Sequence, residues 1–220
     1  GEIAPTAGCA VFKGQTISRY HPDMDQDVGY CPQFEALDQL CSVQEVLELF
    51  CRLKGIPGIC VKDSIDSVLT RFGLGSYRYQ RVSNLSGGTK RKLSTAVALL
   101  GDPSLVLLDE PTTGMDPQTK RLVWNNILRV LKEDRSVILT SHSMAECDAL
   151  CTRMAIMVNG RFKCLGTGQH LKDKYGTGYT LTLRTGNQQD ILRVINYIKT
   201  TFAGSKVKDR HLNQVTMETP

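Results

Sequence analysis

Two stretches of this 220-residue chain carry residue types in the order that phosphate chemistry requires. In LVLLDEPTTGMDP (Leu105–Pro117) an unbroken apolar run ends in two adjacent carboxylates. A buried strand that ends this way presents both acids at its C-terminal edge, where open α/β sheets bind ligands. At phosphoryl-transfer sites the first acid of such a pair holds Mg²⁺, usually through water. The second orients or deprotonates the attacking water. Asp109 is therefore the candidate metal and cofactor residue, and Glu110 the candidate general base. An apolar run followed by Asp-Glu can also simply end a strand; the attached PTTGMDP adds a turn and a capped helix directly after the acids.

The second stretch is NLSGGTKRKLS, Asn84 to Ser94. It puts Ser86, Gly87 and Gly88 at a helix start, where free N–H groups and the positive end of the helix dipole attract an anion. Yet the usual phosphate loop, G-x-x-x-x-G-K-[ST], occurs nowhere in the chain. Ser86 is equally compatible with a plain helix cap. Two further residues gain weight from position. His142, in VILTSHS, ends a predicted strand on the same edge as the two acids and is placed to meet a γ-phosphate. Gln33, in GYCPQ, follows a short strand and precedes a helical segment, a junction from which it could reach Mg²⁺ and the attacking water.

The elements that must hold these residues are legible in the pattern. Ser42-Val-Gln-Glu45 is a capping box, followed by Val46, Leu49, Phe50 and Leu53 at helical spacing until Gly55. Ile65, Val68, Leu69 and Phe72 repeat that pattern up to Gly73. A third helix starts near Gly87 and turns Leu93, Val97 and Leu100 inward, so residues 42 to 100 are mostly helical. Strand and helix then alternate. Leu105–Leu108 reads as a parallel strand covered on both faces. Asp116-Pro117 caps a helix to about Lys132, and Ser136–Thr140 is a short strand. Ser143-Met-Ala-Glu146 is a second capping box, and Asn159-Gly160 turns a hairpin of type I′. The tail holds a short helix, a strand around Tyr179–Leu183, a helix around Gln189–Thr200, and VTMETP as a further strand cut short. The fold class is α/β, with a helical insertion ahead of the second half of the sheet.

Composition bounds the function. The hydrophobic content of 41% and charged content of 22% are those of an ordinary globular chain. A net charge of +5, spread along the sequence, argues against a dedicated nucleic-acid surface. No stretch has the roughly 18 apolar residues of a membrane span. The eight cysteines form no C-x-x-C pair and no zinc spacing. Cys147 and Cys151, four apart on a helix, read as buried or half-buried thiols, in a reducing cytosolic environment.

The order of GYCPQ, a helical stretch, LSGGTKRK, LVLLDE, an Asp-Pro turn and a histidine resembles the nucleotide-binding domain of ATP-binding cassette (ABC) transporters. Gln33 is similar to the Q-loop glutamine, Leu85–Gly88 to the signature motif, and Asp109 and Glu110 to the Walker B acids. Asp116 matches the D-loop aspartate and His142 the switch histidine. Thr89 stands where the signature usually has glutamine. That departure, KRKLS, GYCPQF, TSHSMAECDALCTRMAIMVNGRFKCLGTGQHLK and GTGYTL resemble the A subfamily of lipid exporters, and its second, C-terminal nucleotide-binding domain most. The likeness covers nearly the whole chain and is least clear over the last twenty residues.

The resemblance implies a P-loop NTPase-like (RecA-like) core with an inserted helical subdomain and a small α+β extension at the C-terminus. On that plan residues 1–33 are the remainder of the first part of the core and 34–100 the helical and signature subdomain. Residues 101–165 form the second half of the core and 166–220 the extension, with a regulatory role by analogy only. It also explains the signature turn. Two such domains pair head to tail, and Ser86, Gly87 and Gly88 meet ATP held mainly by the other. Of Lys90, Arg91 and Lys92, one is expected to point toward that nucleotide and the others into solvent.

The opening GEIAPTAG resembles the segment that follows the phosphate-loop helix. This places Walker A upstream of Gly1 and makes residues 1–220 alone inactive and poorly stable, with an apolar face uncovered. The implied function is an ATPase motor, with ATP and Mg²⁺ as cofactors, facing the cytosol from a lipid- or sterol-moving membrane transporter. Its partners are a second nucleotide-binding domain, transmembrane domains and a lipid bound outside this domain, and no nucleic acid. Two alternatives stand beside it. One is a soluble ABC-type ATPase acting on nucleic acid: the chromosome-maintenance kind is disfavoured by the compact interval of about fifty residues between Gln33 and Ser86 without sustained heptads, the translation kind only by the A-subfamily resemblance. The other is a regulatory nucleotide-binding domain without turnover, disfavoured by the presence of both Glu110 and His142.

Overall fold

The computed structural model describes residues 5–17, 26–133, 135–176, 178–187 and 190–219. The start of the GEIAPTAG segment and the expected helix start at Gln189 lie outside them. The chain divides into two compact units, Gly1–Cys151 and Thr152–Pro220.

In the first unit a two-stranded hairpin, β1 (Val11–Phe12) and β2 (Gln15–Thr16), precedes a three-stranded parallel sheet. The sheet consists of β3 (Val28–Cys31), β4 (Leu105–Asp109) and β5 (Ser136–Thr140), with β4 in the centre. Its register pairs Cys31 with Leu108 and Asp109 with Thr140. All three strands therefore end on one edge. Between β3 and β4 lie the predicted helices: α1 (Val43–Leu53), α2 (Gly58–Arg71) and α3 (Gly87–Ala98). The helix α4 (Pro117–Lys132) joins β4 to β5, and the short α5 (Met144–Leu150) follows β5. The Ser42–Glu45 capping box is complete: Ser42 Oγ accepts from Glu45 N–H, and the Glu45 carboxylate accepts from Ser42 N–H at 2.7 Å.

The core is built from one face of the sheet. Cys31, Val106 and Leu108 are buried against Leu93, Ala96 and Val97 of α3 and against Val123, Ile127 and Val130 of α4. The helix α3 lies very close to β3. A Cβ added at Gly29 would stand 1.9 Å from the Ala98 carbonyl oxygen. Gly29→Ala is therefore expected to destabilise the unit by about 1–3 kcal/mol, as overpacking does, read as a lowered melting temperature.

The other face is not covered as the apolar run Leu105–Leu108 suggests, and agrees instead with the expectation of an uncovered apolar face. Tyr30, Leu107 and Ile138 stand in one lateral row of the register. Tyr30 is 57% and Ile138 59% exposed. Among the described residues this face has no helix over it, so Leu105–Leu108 alternates between buried and half-buried positions.

The second unit opens with the predicted hairpin, β6 (Met154–Val158) and β7 (Arg161–Gly166). Asn159 and Gly160 both have positive φ, 49° and 71°, as a type I′ turn requires. The helix α6 (Gly168–Tyr175) follows, capped by Thr167. A three-stranded antiparallel sheet in the order β8 (Tyr179–Arg184), β10 (Gln214–Thr219), β9 (Lys206–His211) then packs on α7 (Asp190–Thr201). Its core is Ile191, Ile195, Ile198, Val215 and Met217. No helix among the described residues is long and apolar enough to cross a membrane.

Candidate functional site

The parallel register delivers the ends of β3, β4 and β5 side by side, and four of the predicted residues stand there. Asp109 closes β4, and Thr140, its partner on β5, donates its hydroxyl to Asp109 Oδ1. Glu110 follows with φ of +46°, a left-handed backbone that costs a non-glycine residue about 1–3 kcal/mol. Its N–H donates to the Thr140 carbonyl at 3.1 Å. The Glu110 side chain then reaches two partners through Oε2: the Thr113 hydroxyl at 3.0 Å and His142 Nδ1 at 3.3 Å. His142 itself is 71% exposed, and Glu110 25%. The predicted base and the predicted switch histidine are thus in direct contact. Gln33, two residues past β3, is exposed beside them.

Ser86 is the N-cap of α3; its Oγ accepts from Thr89 N–H at 3.3 Å and lies 2.9 Å from the Thr89 hydroxyl. A Cβ at Gly87 or Gly88 would meet nothing within 4 Å. These glycines are not demanded by packing inside the unit. Asp116 caps α4, accepting from Gln118 and Thr119 N–H groups, both at 3.0 Å. Among the described residues it makes no hydrogen bond or ion pair to Asp109 or Glu110. Bonds from Thr119, then from Gln118, hold its carboxyl below the usual carboxylate range. A depressed pKa keeps the cap ionised across the neutral range, and its contribution is lost only as pH falls through the lowered value.

The three cations after the signature glycines depart from expectation. Arg91 and Lys92 are buried, 7% and 9% exposed. Lys90 is half-buried on Gln39 Oε1 at 3.1 Å, with Glu35 Oε2 at 3.5 Å. None of the three is simply solvated. Burial pushes the Lys92 ammonium below its ordinary pKa, opposed by the charge of Asp116. Arg91 turns back under the sheet edge. Its Nη1 donates to the carbonyls of Pro32 and Gln33, and its Nη2 to those of Asp109 and Glu110.

Glu146 also takes a role that its reading as a capping-box residue does not give it. Ser143 Oγ accepts from Glu146 N–H at 3.4 Å, which is half of the predicted capping box. The Glu146 carboxylate, however, is buried at 2% exposure instead of reaching back. It accepts from the Thr112 hydroxyl at 2.8 Å, Trp124 Nε1 at 3.0 Å and the Ser141 hydroxyl at 2.6 Å. Three interior donors converge there, and they outweigh one backbone N–H at the helix start. Glu146 thereby joins the turn after the acids, α4 and the residue preceding His142. Cys147 and Cys151 beside it are half-buried thiols, with pKa values raised chiefly by burial.

A description of the ABC transporter family matches residues 1–113. ATP-binding cassette sub-family A member 7 of Mus musculus is 49% identical over 220 residues, all of this chain and 10% of that protein. The retinal-specific phospholipid-transporting ATPase ABCA4 of Bos taurus is 47% identical over 223 residues, 99% of this chain and 10% of that protein. The chain thus spans about a tenth of the length of the curated relatives it matches. Among solved structures, an ATP-binding subunit of an ABC transporter superposes with a TM-score of 0.73 at 22% identity, over 89% of this chain and 78% of that one. A dimeric post-hydrolysis ATP-binding cassette bound to ADP and Pi gives 0.67 at 20%, over 74% of each chain. The fold is that of the ABC ATP-binding domains, of P-loop NTPase type, the relatives lie in the A subfamily that the signature resembles, and the chain belongs to the ABC transporter family.

Proposed function

We propose that this chain forms part of an ATP-hydrolysing domain that drives a lipid- or sterol-moving transporter, with each ATP held between two such domains. The observation that carries the reading is the contact of Glu110 Oε2 with His142 Nδ1 at 3.3 Å, beside Asp109 on one sheet edge. Glu110 accepts the proton of the attacking water. Thr113 and His142 fix the carboxylate through one oxygen, and among the described residues nothing bonds the other. His142, largely exposed, reaches the γ-phosphate, and Gln33 orients the water from the neighbouring strand. Ser86, Gly87 and Gly88 meet the γ-phosphate of the ATP held by the facing domain, and Asp116 lies along the same interface.

Mg²⁺ fits the donor set. The ion commonly takes one or two carboxylates and completes its shell with phosphate oxygens and water. Asp109, among the described residues bonded through its side chain only at Oδ1, to Thr140, and Gln33 supply such a sparse site. Among the described residues there is no cluster of three or more His, Cys, Asp or Glu that could hold a metal alone. When bound, it neutralises charge on the phosphate oxygens.

Mg-ATP hydrolysis by the full-length protein in lipid vesicles tests the reading, alongside residues 1–220 alone. The full-length protein is expected to turn over ATP. Residues 1–220, which contain no G-x-x-x-x-G-K-[ST] sequence, are expected not to. Hydrolysis by residues 1–220 alone would require the site to be rebuilt.

The signature glycines give a prediction of opposite signs. Gly88→Ala adds a methyl group that meets nothing and raises helix propensity by up to about 1 kcal/mol. The domain is expected to melt no lower than the wild type. ATP turnover is expected to fall about tenfold or more, because the methyl group stands where a phosphate must approach the backbone.

A further inference from the structure

Arg91 is buried on a helix that begins with the signature turn, yet its guanidinium spans the ends of two strands. One terminal nitrogen donates to the Pro32 carbonyl and, at 3.1 Å, to that of Gln33. The other donates to the Asp109 carbonyl and, at 2.9 Å, to that of Glu110. Among the described residues Nε is buried and has no bonding partner, so the group's bonding there is committed at its two tips. The carbonyl it holds at Glu110 belongs to the residue with the left-handed backbone. A backbone in that region persists only where its surroundings over-determine it. Here they are the Thr140 carbonyl on the N–H side and Arg91 on the carbonyl side.

We infer that Arg91 is a positioning residue that locks Glu110 and the Gln33 loop to the signature helix, so that the state of one nucleotide site sets the geometry of the other. The inference rests on the reading of Glu110 as base and of Ser86–Gly88 as contacts to the facing ATP. Ser86 lies five residues before Arg91, about 7.5 Å along the helix axis at 1.5 Å per residue. A γ-phosphate that settles against the helix start therefore moves or fixes the guanidinium with it. The guanidinium in turn fixes the peptide on each side of the catalytic carboxylate and the peptide that carries Gln33. Lysine cannot substitute. Its single ammonium is a point charge, whereas the planar guanidinium serves two separate carbonyl pairs from opposite tips.

The test is steady-state ATP hydrolysis by the full-length protein, expressed as turnover per bound nucleotide, for Arg91→Met, Arg91→Lys and Glu110→Gln in parallel. Arg91→Met is expected to lower turnover per bound nucleotide about 10- to 100-fold, the loss that a misplacement of about 1 Å brings. KM for ATP is expected to change less than about threefold, because the phosphates are held elsewhere. Arg91→Lys is expected to keep the charge and the fold and still lose about tenfold, so it decides the question if Arg91→Met does not fold. A merely structural arginine predicts fewer binding sites with wild-type turnover at each. That result, in the presence of an inactive Glu110→Gln, overturns the inference and leaves the base assignment standing. Full turnover in Glu110→Gln overturns the assignment and the inference with it.

Discussion

Glu110→Gln in the full-length protein is expected to cut ATP turnover by about 10²- to 10⁴-fold, the range of a lost general base. ATP binding is expected to persist. Glutamine is nearly isosteric with glutamate, and its amide oxygen still accepts from the Thr113 hydroxyl, now at 3.0 Å from Oε2. The bonds that hold the backbone at φ of +46° come from Thr140 and Arg91, and the substitution touches neither. Stability is therefore expected to stay within about 0.5 kcal/mol of the wild type, as at surface sites away from such bonds. What disappears is the proton acceptor and the negative charge facing His142. Parallel measurements of bound ATP and released phosphate separate the two effects. A variant that binds ATP and keeps more than a tenth of its turnover places the base on another residue.

The geometry behind that expectation was partly legible in the residues. Asp109, Glu110 and His142 each end an apolar run, and parallel strands that end together bring such residues together. The caps at Ser42, Ser86 and Asp116 were readable for the same reason: a cap is a local event, written within four residues. The strand ends were visible too, because β-branched and leucine runs between polar turns have few other readings. The hairpin Val11–Thr16 left a weaker trace, two residues on each side of Lys13-Gly14. Lys206–His211 reads KVKDRH, with Val207 as its single apolar residue, so no alternation announces a strand.

Long-range choices were not legible. Arg91 sits among three cations on one helix, and helical spacing says only that they point in different directions. Which one turns under the sheet depends on β3 and β4 ending within reach of its guanidinium. The contact at Gly29 that draws α3 against β3 sets that reach. The covering of β4 was likewise undecidable from Leu105–Leu108, since an apolar run is compatible with one packed face or two. Glu146 shows the limit most clearly. Ser143-x-x-Glu146 has the spacing of a capping box, as does Ser42-x-x-Glu45, and only the second is complete. The difference lies in Thr112 and Trp124, 34 and 22 residues away in sequence.

Those two partners make Glu146→Ala the substitution with the largest expected cost in stability, about 3–5 kcal/mol. The carboxylate is 2% exposed and receives three donors. Truncation strands the Thr112 hydroxyl, the Trp124 N–H and the Ser141 hydroxyl in the interior, and each unmet buried group costs about 1–3 kcal/mol. Partial relaxation toward water keeps the sum below the upper limit. At about 2–4 °C per kcal/mol for a unit of this size, the melting temperature is expected to drop by about 6–20 °C. Glu146→Gln separates charge from shape. An amide oxygen in place of Oε1 still serves Thr112 and Trp124, while the amide nitrogen faces Ser141, whose hydroxyl can reverse and accept. That variant is expected to lose no more than about 1.5 kcal/mol. The same network holds Ser141, the residue before His142, so Glu146→Ala is also expected to lower turnover in the molecules that remain folded. Equal melting temperatures for the alanine and glutamine variants would mean that the three donors find water when the carboxylate is gone, and that the tie between the Thr112 turn and His142 is carried by packing of α4 and α5 instead.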